Sequence, residues 1–182
     1  MPNSREDVIK TPVRTSFRHR APWLIVGLFG GILSAHFISF FESTLERNLI
    51  LAAFIPMIVY MNDAVGTQLE AFVIRDMSLN RRLNFRRYFL RQFMVVFLIA
   101  LSASLIIMAY SFLVYQDLRM SEVLGIAMLI GICSSVFTGL IIPRLVSKTR
   151  NDPANVSGPI ATIIQDMFSV VIYFLIATAI LN

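Results

Sequence analysis

The 182 residues contain a single cysteine, Cys133, set inside an apolar stretch. An intrachain disulfide is excluded, thiolate metal binding lacks a second ligand, and a small packed side chain is the expected role. The lone histidine of the first apolar stretch, His36, forms no ligand set with Cys133, and no nucleophile stands beside a base, so no enzymatic site is expected. Charge is scarce too. Charged residues make up 15% of the chain against 57% hydrophobic, with a mean hydropathy of +0.72, more apolar surface than a soluble domain of this size could bury. No A-x-A-like site follows the first apolar stretch, so no removable signal peptide is expected. Repeats and low-complexity linkers are lacking, and FMVVFLIALSASLIIMAY shows none of the alternation of a membrane β-barrel. The net charge of +5 is not gathered into a basic patch interleaved with aromatics, so nucleic acid is not an expected partner.

What is present is a series of apolar stretches, each near the roughly 20 residues that cross a hydrocarbon core of about 30 Å. They predict an all-α integral membrane bundle of five spans, at about 22–42, 49–74, 88–115, 122–146 and 157–181. Residues 1–20 read as a basic cytosolic tail and 21–182 as one membrane domain; FESTLERN, SLNRRLNFRR, YQDLRM and SKTRNDPANVS read as short loops. Fourteen of the sixteen Lys and Arg fall on one side of these spans: Arg5, Lys10, Arg14, Arg18 and Arg20, then Arg75, Arg81, Arg82, Arg86, Arg87 and Arg91, then Arg144, Lys148 and Arg150. Arg47 and Arg119 remain for the other side. The positive-inside rule then predicts a multi-pass protein of the cell (inner) membrane with a cytoplasmic amino terminus and an external carboxyl terminus. Trp23 and Tyr88, at span starts on the basic side, suit headgroup-level anchoring.

Three acids lie within the spans. A carboxylate at the bilayer centre costs a helix about 2.5–3.5 kcal/mol on insertion scales, so each needs a compensating partner. Asp63, Thr67 and Glu70 stand at i, i+4 and i+7 on the second span, one polar stripe about 10 Å long. Thr162, Asp166, Ser169 and Tyr173 repeat the device on the fifth. Neither span has a Lys or Arg at matching depth, so a cation or protons must compensate the acids. For Asp63 and Asp166 the competing reading is a protonated acid bonded between helices; for Glu70, snorkelling or a pair with Arg75.

Asp152 before Pro153 suits a helix cap, and equally an acid at the cytoplasmic mouth roughly 20 Å from Asp166. Pro159, after Gly158, predicts a kink or short unwound stretch whose carbonyls could accept from a hydrated cation; Pro56 and Gly66 could loosen the second span similarly. His36, near Ser34 and Ser39, is expected to hydrogen bond between helices. Glu42 and Glu46 form either a solvated rim or a cation-attracting one.

PWLIVGLFGGILSAHFISFFESTLE, LAAFIPMIVYMNDAVGTQLEAFVIRDMSL and, most sharply, NDPANVSGPIATIIQDMFSVVIYFLIA resemble the transmembrane domain of the MgtE family of magnesium channels and transporters. The last segment is similar to the family's D-P-A-x-x-S-x-P-x-x-T-x-x-x-D pattern through Asp152, Pro153, Ala154, Ser157, Pro159, Thr162 and Asp166. The resemblance implies a homodimer with five helices per subunit and a pore on the two-fold axis, lined by the second and fifth. It implies Asp166 as the central magnesium-site acid and Asp152 as the acid nearer the cytoplasmic mouth. Where better-known members have G-G-N-x-G-x-Q, this chain reads Asn62, Asp63, Ala64, Val65, Gly66, Thr67 and Gln68, so Ala64 replaces a ligand that Asp63 could supply. Gly158 stands where some members have a pore-lining asparagine. Twenty residues before the first span are too few for the paired CBS modules of well-known bacterial members, so gating by such modules is not expected within this chain.

The expected function is passage of a divalent cation, Mg2+ foremost, as a largely hydrated ion with no organic cofactor. Asp166, Asp63, Glu70 and Asp152 are the metal candidates, and Thr162, Gly158, Gly66, Thr67 and Ser169 the pore-lining ones. The competing functions are a Na+- or H+-coupled exchanger and a helical scaffold subunit; manganese, cobalt and calcium also take oxygen ligands.

Overall fold

The structure, a computed structural model, describes residues 9–79, 84–149 and 152–181. Arg5, Arg81, Arg82 and Arg150 lie outside the described residues. Among the described residues, six helices run in order: α1 (Val13–Ser39), α2 (Glu42–Arg47), α3 (Leu49–Ser78), α4 (Phe85–Tyr115), α5 (Leu118–Val146) and α6 (Pro153–Leu181). All but α2 are long and apolar enough to cross a membrane, in agreement with the five expected spans. They are also longer than expected. A 30-residue helix such as α3 reaches about 45 Å, beyond a hydrocarbon core of about 30 Å, so its ends extend into the headgroup layer. On the basic side this lengthening takes in polar sequence: α1 starts at Val13, so residues 13–20 of the expected tail, with Arg14, Arg18 and Arg20, are helical.

Local chemistry sets the boundaries. Asn84 caps α4 by accepting from the Arg87 backbone N–H at 3.3 Å, and Asp117 caps α5 by accepting from that of Met120 at 3.1 Å. Between α4 and α5 the chain reverses at Gln116, whose φ of 54° ends α4 in the left-handed conformation. FESTLERN, expected as a loop, folds into the short helix α2, begun by Phe41, whose carbonyl accepts from Thr44 and Leu45. Helix α6 continues through Pro159, so the expected unwound stretch is not formed.

Helix α5 is the hub, packing against α4, α3 and α6, while α1 lies at the far edge and packs chiefly against α6. Leu124, Ile132 and Leu140 of α5 are fully buried with Leu51, Val73 and Phe174, whereas Leu28, Leu105, Ile106 and Leu113 face outward, as lipid contact requires. Apolar side chains gain little from leaving lipid for a bundle, so close approach through small residues matters more. Gly139 shows this: a Cβ there would lie 2.5 Å from the Gly66 carbonyl oxygen, so only glycine lets α3 and α5 touch.

Candidate cation pathway

Helices α3 and α6 lie side by side and are joined at the acids. Thr162 Oγ1 donates to Asp63 Oδ1 at 3.3 Å, and Ser157 Oγ donates to Glu70 Oε1 at 2.6 Å. The sequence ascends from Asp63 to Glu70 on α3 and descends from Thr162 to Ser157 on α6, so the two helices run antiparallel and their seam carries these carboxylate–hydroxyl pairs between one and two turns apart. Glu70 is 8% exposed, and Arg75 turns away to Asp76, Nε to Oδ1 3.3 Å, with its guanidinium 5.2 Å from the centroid of Phe72. Neither the snorkelling nor the Arg75 pairing expected as alternatives for Glu70 is formed. Gly158 is beside the same carboxylate: a Cβ there would sit 3.7 Å from Glu70 Oε1.

Asp166 lies one turn beyond Thr162 and lines a recess of about 350 Å3 with Leu24, Gly27, Pro159, Thr162 and Ile163. No described residue hydrogen bonds to its carboxylate. A second recess of about 360 Å3, lined by Arg20, Leu24, Ala154, Asn155 and Pro159, shares Leu24 and Pro159 with the first. Together they form a groove between α1 and α6 from the level of Asp166 to the basic end of α1. Thr162 belongs to both features, since it lines the groove and holds Asp63. Among the described residues, no three His, Cys, Asp or Glu side chains converge as a metal-binding group. The acids along this path, Asp63, Glu70 and Asp166, offer oxygen donors alone.

The remaining candidates fall elsewhere. Asp152 caps α6, accepting from the Ala154 N–H at 3.1 Å while its carbonyl accepts from Asn155 at 3.1 Å, so the cap reading holds. Thr67 is exposed on α3. Gly66 and Ser169, expected on the pore wall, sit inside the bundle. The nearest side chains to Gly66 are Ser135 and Thr138 of α5, and Ser169 is 1% exposed, accepting from Asn62 Nδ2 at 2.9 Å. Tyr173 is likewise buried, donating to the Leu51 carbonyl at 2.9 Å. The stripe expected along α6 thus divides, with Thr162 and Asp166 open to the groove and Ser169 and Tyr173 turned into the bundle. His36 is exposed with its ring edge-on to Phe40, 5.6 Å between centroids, not bonded to a neighbouring helix. Glu42 and Glu46 are exposed on α2.

Residues 55–176, from within α3 to near the end of α6, match the MgtE family, described as a divalent cation transporter. The chain belongs to the MgtE family. It is 36% identical over 166 residues to the magnesium transporter MgtE of Bacillus subtilis (strain 168), a match covering 90% of this chain and 37% of that protein. The magnesium transporter MgtE of Enterococcus faecalis is 35% identical over 175 residues, 95% of this chain and 38% of the relative. That of Thermus thermophilus is 27% identical over 168 residues, 90% and 36% respectively. The chain thus spans little more than a third of the length of these curated relatives. As an MgtE-family chain with five membrane-spanning helices it is a multi-pass membrane protein.

Buried amides at the heart of this MgtE-family bundle went unread in the sequence. Gln165 is 1% exposed and bonded to α5, and Asn62 is fully buried. The available signal was the i, i+4 spacing of Gln165 and Ser169 at mid-helix, since amides at that depth are expensive without partners.

Proposed function

We propose that this MgtE-family chain carries a divalent cation, Mg2+ above others, across the membrane through a carboxylate-lined path on α3 and α6. The observation that carries the reading is Asp166, an acid midway along an apolar helix, open to a groove and without a hydrogen-bond partner among the described residues. An acid so placed needs a mobile positive partner. Mg2+ gives up its water reluctantly, so carboxylates that accept hydrogen bonds from its hydration shell suit it better than a closed cage. The naming of three relatives as magnesium transporters supports this choice of ion.

In this reading two protomers pair about a two-fold axis, and the two copies of Asp166 supply the central site that one protomer lacks. Asp63, held by Thr162, adds charge beside it, and Glu70 extends the acidic seam toward the basic end. Asp152, while capping α6, adds negative charge at the mouth. The basic ends face the cytoplasm in the inner membrane, so the groove opens inward. An inside-negative potential favours inward movement of a divalent ion by about 4.6 kcal/mol per 100 mV. Ion flux into proteoliposomes tests the reading. Mg2+ uptake that needs no Na+ or H+ gradient is expected; uptake only with such a gradient would make the protein a coupled exchanger, and no divalent flux would make it a scaffold.

A further inference from the structure

Gln165 precedes Asp166 directly and is engaged at both ends of its amide. Thr138 donates to its Oε1 at 2.7 Å, while its Nε2 lies 3.2 Å from Ser134 Oγ and 3.4 Å from both the Gly131 carbonyl oxygen and Ser169 Oγ. Ser169 in turn donates to the Gln165 carbonyl at 2.7 Å and accepts from Asn62 of α3. One polar cluster therefore joins α3, α5 and α6 inside the bundle. A buried amide stripped of partners is costly, so α6 has one rotation about its own axis at which Gln165 is satisfied.

Successive helical residues are about 100° apart. Holding Gln165 against α5 thus fixes Asp166 on the adjoining flank, facing the groove, with Thr162 one turn away on the same flank. Two stripes run side by side along α6, an anchored one of Gln165 and Ser169 and an open one of Thr162 and Asp166. Turning α6 by one residue would carry the Asp166 carboxylate into the α5 seam.

We infer that Gln165 is a positioning residue for the ion path: with Thr138 it sets the rotation of α6, and thereby how tightly and how selectively Asp166 holds the ion. The inference rests on the reading of Asp166 given above. Gln165 is not itself an ion ligand, because its amide is engaged within the bundle. Groups that orient a metal-binding side chain without touching the metal typically change affinity by about 10- to 100-fold.

The test is Mg2+ and Ca2+ flux in proteoliposomes of wild type, Q165L, T138V, T138S and D166N. Q165L and T138V are expected to raise the half-saturating Mg2+ concentration about tenfold and to narrow discrimination against Ca2+. T138S, which keeps the hydroxyl, is expected to match wild type in both. Lower maximal flux with unchanged half-saturation and discrimination would reduce Gln165 to a structural role and overturn the inference. Should Q165L not fold, T138V, which removes one hydroxyl, decides the matter. Wild-type flux from D166N would sink the pathway reading itself; a silent D166N beside wild-type half-saturation in Q165L and T138V would sink this inference alone.

Discussion

Thr162 and Asp63 face each other across the α3–α6 seam, hydroxyl to carboxylate at 3.3 Å, and Thr162 at the same time lines the groove that leads to Asp166. The pair couples an acid on one helix to the wall of the path on the other. Removing the hydroxyl should leave Asp63 free to swing. We expect T162V to shift the half-saturating Mg2+ concentration by about tenfold, the scale of a hydrogen bond to a charged group, and T162S to stay near wild type. Concentration-dependent uptake in cells or vesicles gives both values, and equal shifts in the two variants would count against the coupling.

Ser157 serves Glu70 differently, because that carboxylate is 8% exposed and accepts from this hydroxyl at 2.6 Å. S157A leaves the acid buried without its donor, at a cost of about 1–3 kcal/mol. A lower melting temperature of the purified protein is expected for S157A. E70Q, which keeps an oxygen acceptor without the charge, should melt at or above the wild-type temperature.

At Gly139 a methyl group would meet backbone, the Gly66 carbonyl oxygen at 2.5 Å, and no rotamer change relieves that. Gly31, with nothing within 4 Å of its added Cβ, is the control. G139A should destabilise the bundle by about 1–3 kcal/mol or more, while G31A leaves it unchanged. Thermal unfolding of the two purified variants makes the comparison, and equal stability would contradict the close α3–α5 contact.

The orientation has its own test. A reporter fused after Asn182 is expected to be active only outside the cytoplasm, given the bias of Lys and Arg toward the other ends of the spans. Cytoplasmic activity would reverse the direction in which the groove opens.

The five membrane helices were legible because each is an apolar run bounded by charge or turn chemistry, as with Asn84 before α4 and Asp117 before α5. The acids were legible for the same reason in reverse, being too costly to pass as filler. Their partners were not. Ser157 stands 87 residues from Glu70 and Thr162 99 residues from Asp63, and only the packing of α6 on α3 brings them together. Ser169 misled because i+3 spacing places it within about 60° of Asp166, near enough to share a stripe on paper. The α3–α6 contact runs between the two, so one is buried and the other open. Helix α2 escaped notice because its six residues are too short to show a period.

Asp166→Asn in reconstituted proteoliposomes bears most directly on the central claim, since it keeps the shape of the side chain and removes its charge. With wild-type levels of inserted protein, Mg2+ flux should fall to the level of empty vesicles. Wild-type flux from the asparagine variant would contradict the carboxylate path.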